Sequence, residues 1–162
     1  MAEPVKSIVT PIRLEYDYTP GRATSRFLRG IAQHRILGQE CPNCHKVYVP
    51  PRGSCPACAV ATEREVEVRD TGTIVSFSII RVPSENIRFE LPYAAISVLL
   101  DGAGIPFFHV VQDIPLDQVR MGLRVRARWV ADEALAPTIA SIECFVPSGE
   151  PDAPWESFRE HS

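Results

Sequence analysis

Two Cys-x-x-Cys pairs, Cys41-Pro42-Asn43-Cys44 and Cys55-Pro56-Ala57-Cys58, are joined by ten residues and constrain the fold more than any other feature of the chain. Two residues between paired cysteines let the backbone wrap a knuckle that points both sulfurs at one ion. A second knuckle, brought alongside by a hairpin, closes a tetrahedron of thiolates. Four protein ligands leave no open position for water or substrate, so the spacing predicts a structural rather than a catalytic Zn2+ site. A redox dithiol needs only one pair, and a disulfide framework belongs to exported chains; neither accounts for both pairs. Iron held as in a small electron carrier is a further reading of the same four sulfurs.

A chain of 162 residues, 45% of them hydrophobic, accommodates one medium domain with a small appendage and is too short for two full enzyme domains. The first residues, broken by Pro4 and Pro11, do not read as a signal peptide, and no run of about eighteen apolar residues offers a membrane span. The expectation is a cytoplasmic protein without a membrane partner, in a compartment that keeps thiols reduced. Charge is segregated. Arg22, Arg26, Arg29, Arg35, Lys46 and Arg52 face only Glu40 between Gly21 and Cys58, whereas Ala61 to Ser162 carries nine Lys and Arg against sixteen Asp and Glu. A basic face of this kind suits a phosphate, a nucleic acid or an acidic protein surface, or is simply a solvated helix face.

The pattern divides the chain into an extended arm (1–23), a helix with the metal module (24–61), a β-domain (62–146) and a C-terminal tail (147–162). Thr24 or Ser25 can cap a helix running to about His34, with Phe27, Leu28, Ile31 and Ala32 recurring at three and four residue steps. Gly30, inside it, costs about 1 kcal/mol relative to alanine and permits close approach of another backbone. Val47, Tyr48 and Val49 suit one arm of a hairpin that Pro50-Pro51 ends before the second knuckle, the pattern of a rubredoxin-like zinc ribbon.

Strand-like runs follow at Thr73 to Val82, Tyr93 to Leu100, Phe107 to Val111, Val125 to Val130 and Thr138 to Val146. Leu116 to Met121 leaves room for a helical turn before Gly122. Five strands with a helical turn between the third and fourth give the order of an OB-fold barrel, so the expected class is mainly β: N-terminal helix, zinc ribbon, five-stranded OB-fold. Arg124, Arg126 and Arg128 alternate with Val125, Ala127 and Trp129, giving one strand a basic face.

In these residues the chain resembles the zinc-ribbon plus OB-fold family of accessory proteins encoded beside thiolase-like acyl-CoA enzymes. The resemblance covers about Ser25 to Val146. It rests on Ser25-Arg26-Phe27-Leu28-Arg29-Gly30-Ile31, on the two knuckles, on Pro50-Pro51-Arg52 and on Gly72-Thr73-Ile74-Val75-Ser76-Phe77. His45 and Ala59 stand where such motifs usually carry glycine, positions that call for left-handed backbone. The resemblance implies a non-catalytic subunit that binds and stabilises a thiolase-like or lipid-transfer-protein-like acyl-CoA enzyme. In some members an acyl-CoA hydratase is a further partner. A retro-aldol cleavage in actinobacterial steroid side-chain degradation is the reaction of one such complex. A CoA thioester in the partner's site is then the implied ligand.

Catalytic machinery is hard to assemble from the rest of the chain. Outside the metal ligands the only thiol is Cys144, in an apolar strand, and His109 shares a strand face with Phe107 and Val111, the setting of a core or interface histidine. His34 and His45 adjoin the metal module without being needed as ligands. Candidate partner contacts are Phe27, Leu28 and Ile31 on the helix, Ile87 and Phe89 in the proline-bounded connection after the first barrel strand, and Trp155 and Phe158 in the tail. Arg22, Arg26, Arg29 and Arg35 are candidates for CoA phosphates. The alternative is a single-stranded nucleic-acid-binding ribbon and OB module; the missing aromatic platform and the acidic balance disfavour it.

Overall fold

Gly21 opens helix α1, Arg22–Ile31, three residues earlier than the apolar period indicates. Ser25 lies inside the first turn, its amide donating to Gly21 O at 2.9 Å and its hydroxyl to Pro20 O at 3.2 Å, so it does not cap. The helix stops because His34 takes a left-handed conformation (φ 57°) and the Arg35 amide returns to Gly30 O at 2.9 Å, a bond that closes helix C-termini. Gly30 does serve close approach: a Cβ there would lie 3.0 Å from Arg35 O and from the Leu37 side chain. The computed structural model describes residues 6–7, 14–83 and 89–162. Within them no helix is long and apolar enough to cross a membrane.

Strands β1 (Ile36–Glu40), β2 (Val47–Tyr48) and β5 (Arg64–Val68) form one sheet in the order β2-β1-β5, and β3 (Ser54–Cys55) pairs with β4 (Val60–Ala61) in a small hairpin. Strand β5 is absent from the expected set. Its Glu65-Val66-Glu67-Val68 alternation carries the signal, and the whole of β1 pairs with it, Ile36 opposite Val68.

The expected OB barrel is present. Strands β6 (Thr71–Ile80), β7 (Tyr93–Leu100), β8 (Phe107–Val111), β9 (Arg124–Trp129) and β10 (Ile142–Pro147) close in the order β10-β8-β7-β6-β9. The helical turn before β9 is a single 3-10 turn, Leu116–Gln118, and Gly122 at φ 88° redirects the chain into the strand. The last strand begins later than its composition suggests, because Ile139–Ser141 winds into a 3-10 turn with the Thr138 side chain accepting from the Ala140 amide.

Helix and barrel share one core. Phe27, Ile31, Ile36 and Val49 are buried in the same cluster as Ile74, Ile96, Val125 and Phe145. A second cluster gathers Cys41, Tyr48 and Cys55 around Ile105 from the β7–β8 turn. In that turn the Gly104 amide donates to Val47 O at 2.8 Å, and a Cβ at Gly104 would sit 3.1 Å from Val47 N. The ribbon is thus seated at both ends on the barrel.

The tail folds back on its own chain. Ser148 N donates to Arg124 O, Ala153 N donates to Gly122 O, and the Arg120 guanidinium grips Asp152 with bonds of 2.6 and 2.8 Å. Phe158 is only 3% exposed, its ring against the space that a side chain at Gly122 would fill.

Candidate metal centre and exposed faces

The two knuckles bring the ligand sulfurs of Cys41, Cys44, Cys55 and Cys58 to within 4.8 Å of one another. A tetrahedral ion with metal–sulfur bonds of about 2.3 Å requires sulfur pairs about 3.8 Å apart, and Cys44 and Cys55 stand at 3.7 Å. Backbone amides already face the sulfurs as they do in thiolate sites: Asn43 N and Cys44 N approach Cys41 at 3.4 and 3.5 Å, and Cys58 N approaches Cys55 at 3.4 Å. Donor type, number and spacing all fit Zn2+. The Gln39 side chain, buried beneath β1, ties the second knuckle down by accepting from Gly53 N and Thr62 Oγ1, both at 3.1 Å.

Without an ion Cys55 and Cys58 hold their protons unequally. The Tyr48 hydroxyl, 3.2 Å from Cys55 Sγ, is the main cause that pulls Cys55 down to about 6 against its burial. Hydrogen bonding to Cys44, first, and burial push Cys58 up to about 12. One ligand is poised as a thiolate and another surrenders its proton only to an ion, so loading releases protons.

His45 and Ala59, one after each knuckle, take φ 58° and 54° as the motif requires. Left-handed backbone costs a residue with a Cβ about 1–2 kcal/mol, and glycine's greater freedom in the unfolded chain offsets roughly half of that. Ala59→Gly is therefore expected to tighten zinc about fivefold in a chelator competition. His45→Gly is expected to gain less, because it also loses the bond between His45 Nδ1 and Glu40 Oε1 at 2.9 Å.

The other candidate residues are scattered. Phe27 and Ile31 are buried in this chain's own core, as is Phe158, which corrects their assignment as partner contacts: an amphipathic period shows which face is apolar, not which body covers it. Leu28 and Phe89 are half-buried, Trp155 is 51% exposed with its ring edge-on to Phe158, and Ile87 lies outside the described residues. Arg22, Arg26, Arg29 and Arg35 are all exposed on the helix side, with Arg26 bound to Glu65 at 3.2 Å and Arg35 to Glu67 at 2.8 Å. His34 and His45 stay outside the metal cluster; His34 meets the Trp129 ring edge-on.

The arginines of β9 do share one face, and two of them are paired. Arg124 is held by Asp101 and Glu150, and Arg128 by Asp113 and Glu143, so two of the three guanidinium groups are already neutralised. That removes the electrostatic footprint a nucleic acid would need on this strand. A feature that strand reading passes over is Phe108, 77% exposed on the outer face of β8. Its cross-strand neighbours on that face are Ser97 and, one strand further, Ser76. Two residues further along the same face, Val110 packs with Phe89 and Tyr93, so the Phe108 ring stands beside a small apolar cluster.

The ribbon and barrel also have relatives. Residues 29–63 match the family model of the ChsH2 rubredoxin-like zinc ribbon domain, and residues 65–130 match the model of the ChsH2 C-terminal OB-fold domain. A DUF35 domain-containing scaffold protein of Methanocaldococcus jannaschii is 32% identical over 94 residues, 57% of this chain and 65% of that protein, just under two thirds of its length. A scaffold protein of the same description from Methanothermobacter thermautotrophicus is 30% identical over 61% of this chain and 75% of its own length. Among solved structures, a chain of the Ltp2-ChsH2(DUF35) aldolase superposes with a TM-score of 0.60 at 23% identity, covering 82% of this chain and 99% of that one. The four cysteines accordingly form a zinc-ribbon metal site. With ribbon and barrel matched in the same order along one chain, this protein belongs to the DUF35 family, in the ChsH2-type combination of a rubredoxin-like zinc ribbon and an OB-fold.

Proposed function

We propose that this chain is a non-catalytic accessory subunit that binds and stabilises a partner enzyme of acyl-CoA chemistry, of the thiolase-like or lipid-transfer-protein-like kind. The observation that carries the reading is the shared build. The match spans nearly the whole of a chain from an Ltp2-ChsH2(DUF35) aldolase, and the curated relatives are described as scaffold proteins. The chemistry of the chain supports it. The one thiol outside the ribbon, Cys144, is buried, with burial as the main cause pushing it up to about 11, which does not suit a nucleophile.

In this reading Phe108 docks on the partner, with Trp155 as a second contact. Arg22 and Arg29, which make no ion pair among the described residues, offer guanidinium groups to the phosphates of a CoA thioester held in the partner's site. A retro-aldol or thiolase reaction belongs to the partner, with an acyl-CoA hydratase as a further member of the assembly.

Affinity purification from the native cytoplasm, with metal analysis and mass-spectrometric identification, tests the reading. The expected result is an acyl-CoA enzyme subunit in stoichiometric amount together with one zinc per chain. Phe108→Asp is expected to reduce recovery of that subunit at least about tenfold, because a charge replaces a desolvated ring, while zinc content stays the same. Recovery of the chain alone would overturn the proposal.

A further inference from the structure

Strands β8 and β10 close the barrel in parallel, with Phe145 opposite Val111 and the Gln112 amide donating to Phe145 O at 2.9 Å. Before those residues the two strands border a cleft of about 370 Å3, lined by Phe89, His109, Val110, Ile139, Ile142 and Glu143. The fold determines its position. Phe89 comes from the β6–β7 connection and Ile139 from the β9–β10 connection, and in a five-stranded OB barrel these two connections flank the surface that carries ligands. The volume lies at the lower end of the range of small-molecule sites, roughly 300–1,000 Å3, which suits a compact molecule and not a nucleotide.

Only two side chains of the lining are polar. Glu143, the one charged residue of the lining, is held by Arg128 Nε at 2.9 Å, and among the described residues no cation lines the cleft to attract an anion. His109 lies inside, its ring centroid 6.1 Å from that of Phe107 and 5.6 Å from that of Phe145. Its Nδ1 is the one buried side-chain nitrogen or oxygen without a hydrogen-bond partner among the described residues. Unpaired buried polar atoms are rare and costly, and commonly mark a function. Burial, first, pushes the imidazole below its ordinary range against the opposing backbone hydrogen bonding of Val110 and Ile142, so the ring is neutral at pH 7.

We infer that this cleft is a binding site for a small, uncharged, largely apolar molecule bearing one hydrogen-bonding group, and that His109 recognises that group. A neutral imidazole can serve a hydroxyl as donor or as acceptor, and the surrounding Phe89, Val110, Ile139 and Ile142 take the hydrocarbon body. The inference does not depend on the accessory-subunit reading, since every lining residue belongs to this chain.

Titration of the zinc-loaded full chain with 1-naphthalenemethanol, followed by amide and imidazole NMR, tests it. Saturable shifts are expected at Val110, Ala140, Ile142, Glu143 and the His109 ring. 1-Naphthoate, the anion of similar shape, is expected to bind at least about tenfold more weakly because its carboxylate would be desolvated in an apolar cleft lined by no cation among the described residues. His109→Phe is expected to weaken the alcohol about fivefold while leaving naphthalene unchanged, and Ile139→Trp, which fills the cleft from an exposed position, is expected to abolish binding of both. Equal affinity for the naphthoate, shifts that persist in Ile139→Trp, or no saturable shift at all would overturn the site. So would a cleft indifferent to these probes that becomes protected only in a complex, which would make it a socket for a partner's side chain.

Discussion

Exchange of Cys55 for serine, or stripping of the metal by a chelator, is expected to melt the ribbon from Val47 to Ala61 while the barrel strands stay paired. The two short hairpin arms, β2 and β3–β4, make few backbone pairs of their own: Gln39 opposite Tyr48 and Glu40 opposite Val47 in one, Ser54 opposite Ala61 and Cys55 opposite Val60 in the other. So small a unit owes its order to the ion, which contributes about 10–16 kcal/mol in isolated zinc peptides. The loss measured in the whole chain is smaller, because β1 stays paired with β5 and Ile36 stays anchored in the core shared with the barrel. A destabilisation exceeding about 4 kcal/mol is expected. Hydrogen exchange gives the spatial test. Protection should vanish across the knuckles and weaken at Gly104 and Ile105, which rest on them, while β7 and β8 exchange as before. Cys144→Ser, at the thiol outside the cluster, should retain one zinc per chain. A ribbon that keeps its protection without metal would show that its stability comes from docking on the barrel.

The parts legible in the sequence are those whose determinants are local. The four ligands announce themselves by spacing, and Tyr93–Leu100 and Phe107–Val111 by composition bounded by turn residues. What stayed hidden depends on distant partners. Phe27 and Ile31 mark an apolar stripe, but that the stripe faces this chain's own barrel follows from the closure of β10 on β8 and β9. The basic face of β9 is legible as alternation, but the pairing of Arg124 and Arg128 is not, because Asp101, Asp113, Glu143 and Glu150 come from four other places in the chain. The proline-rich tail has the composition of a mobile end. Its order arises from the space at Gly122, which a ring from 36 residues downstream fills as Phe158. His109 lies where strand alternation puts it, on the face of Phe107, while its unpaired Nδ1 depends on a cleft between two connections that no local pattern encodes.

Arg124→Met is expected to loosen the barrel and release the tail together, because one guanidinium joins both. Its Nη1 donates to Asp101 Oδ1 at 2.8 Å and to Thr73 Oγ1 at 3.1 Å, its Nη2 to Asp101 Oδ2 at 2.7 Å, and its Nε to Glu150 at 2.9 Å. Arg124 is mostly buried and Asp101 partly so, so removing the cation strands a carboxylate in a partly desolvated turn, a loss of about 2–4 kcal/mol. Lysine cannot replace the planar fork and should recover little of it. The pH dependence follows from the same pair. Arg124, first, and the Thr71 hydroxyl hold the Asp101 carboxyl below the ordinary aspartate range. A depressed carboxylate pKa gives stability that is fully present above the unfolded value of about 3.9 and is lost as pH falls through the folded value beneath it. The wild-type chain should therefore lose stability on acidification below about pH 4, and Asp101→Asn should flatten that limb while being less stable at pH 7. In Arg124→Met the limb should be shallower too, and Trp155 fluorescence should report the freed tail, since Ser148 and Ala153 no longer hold it to a fixed β9. An unchanged acid limb in both variants would place the pH response in other carboxylates and leave the Asp101–Arg124 pair a purely geometric link between barrel and tail.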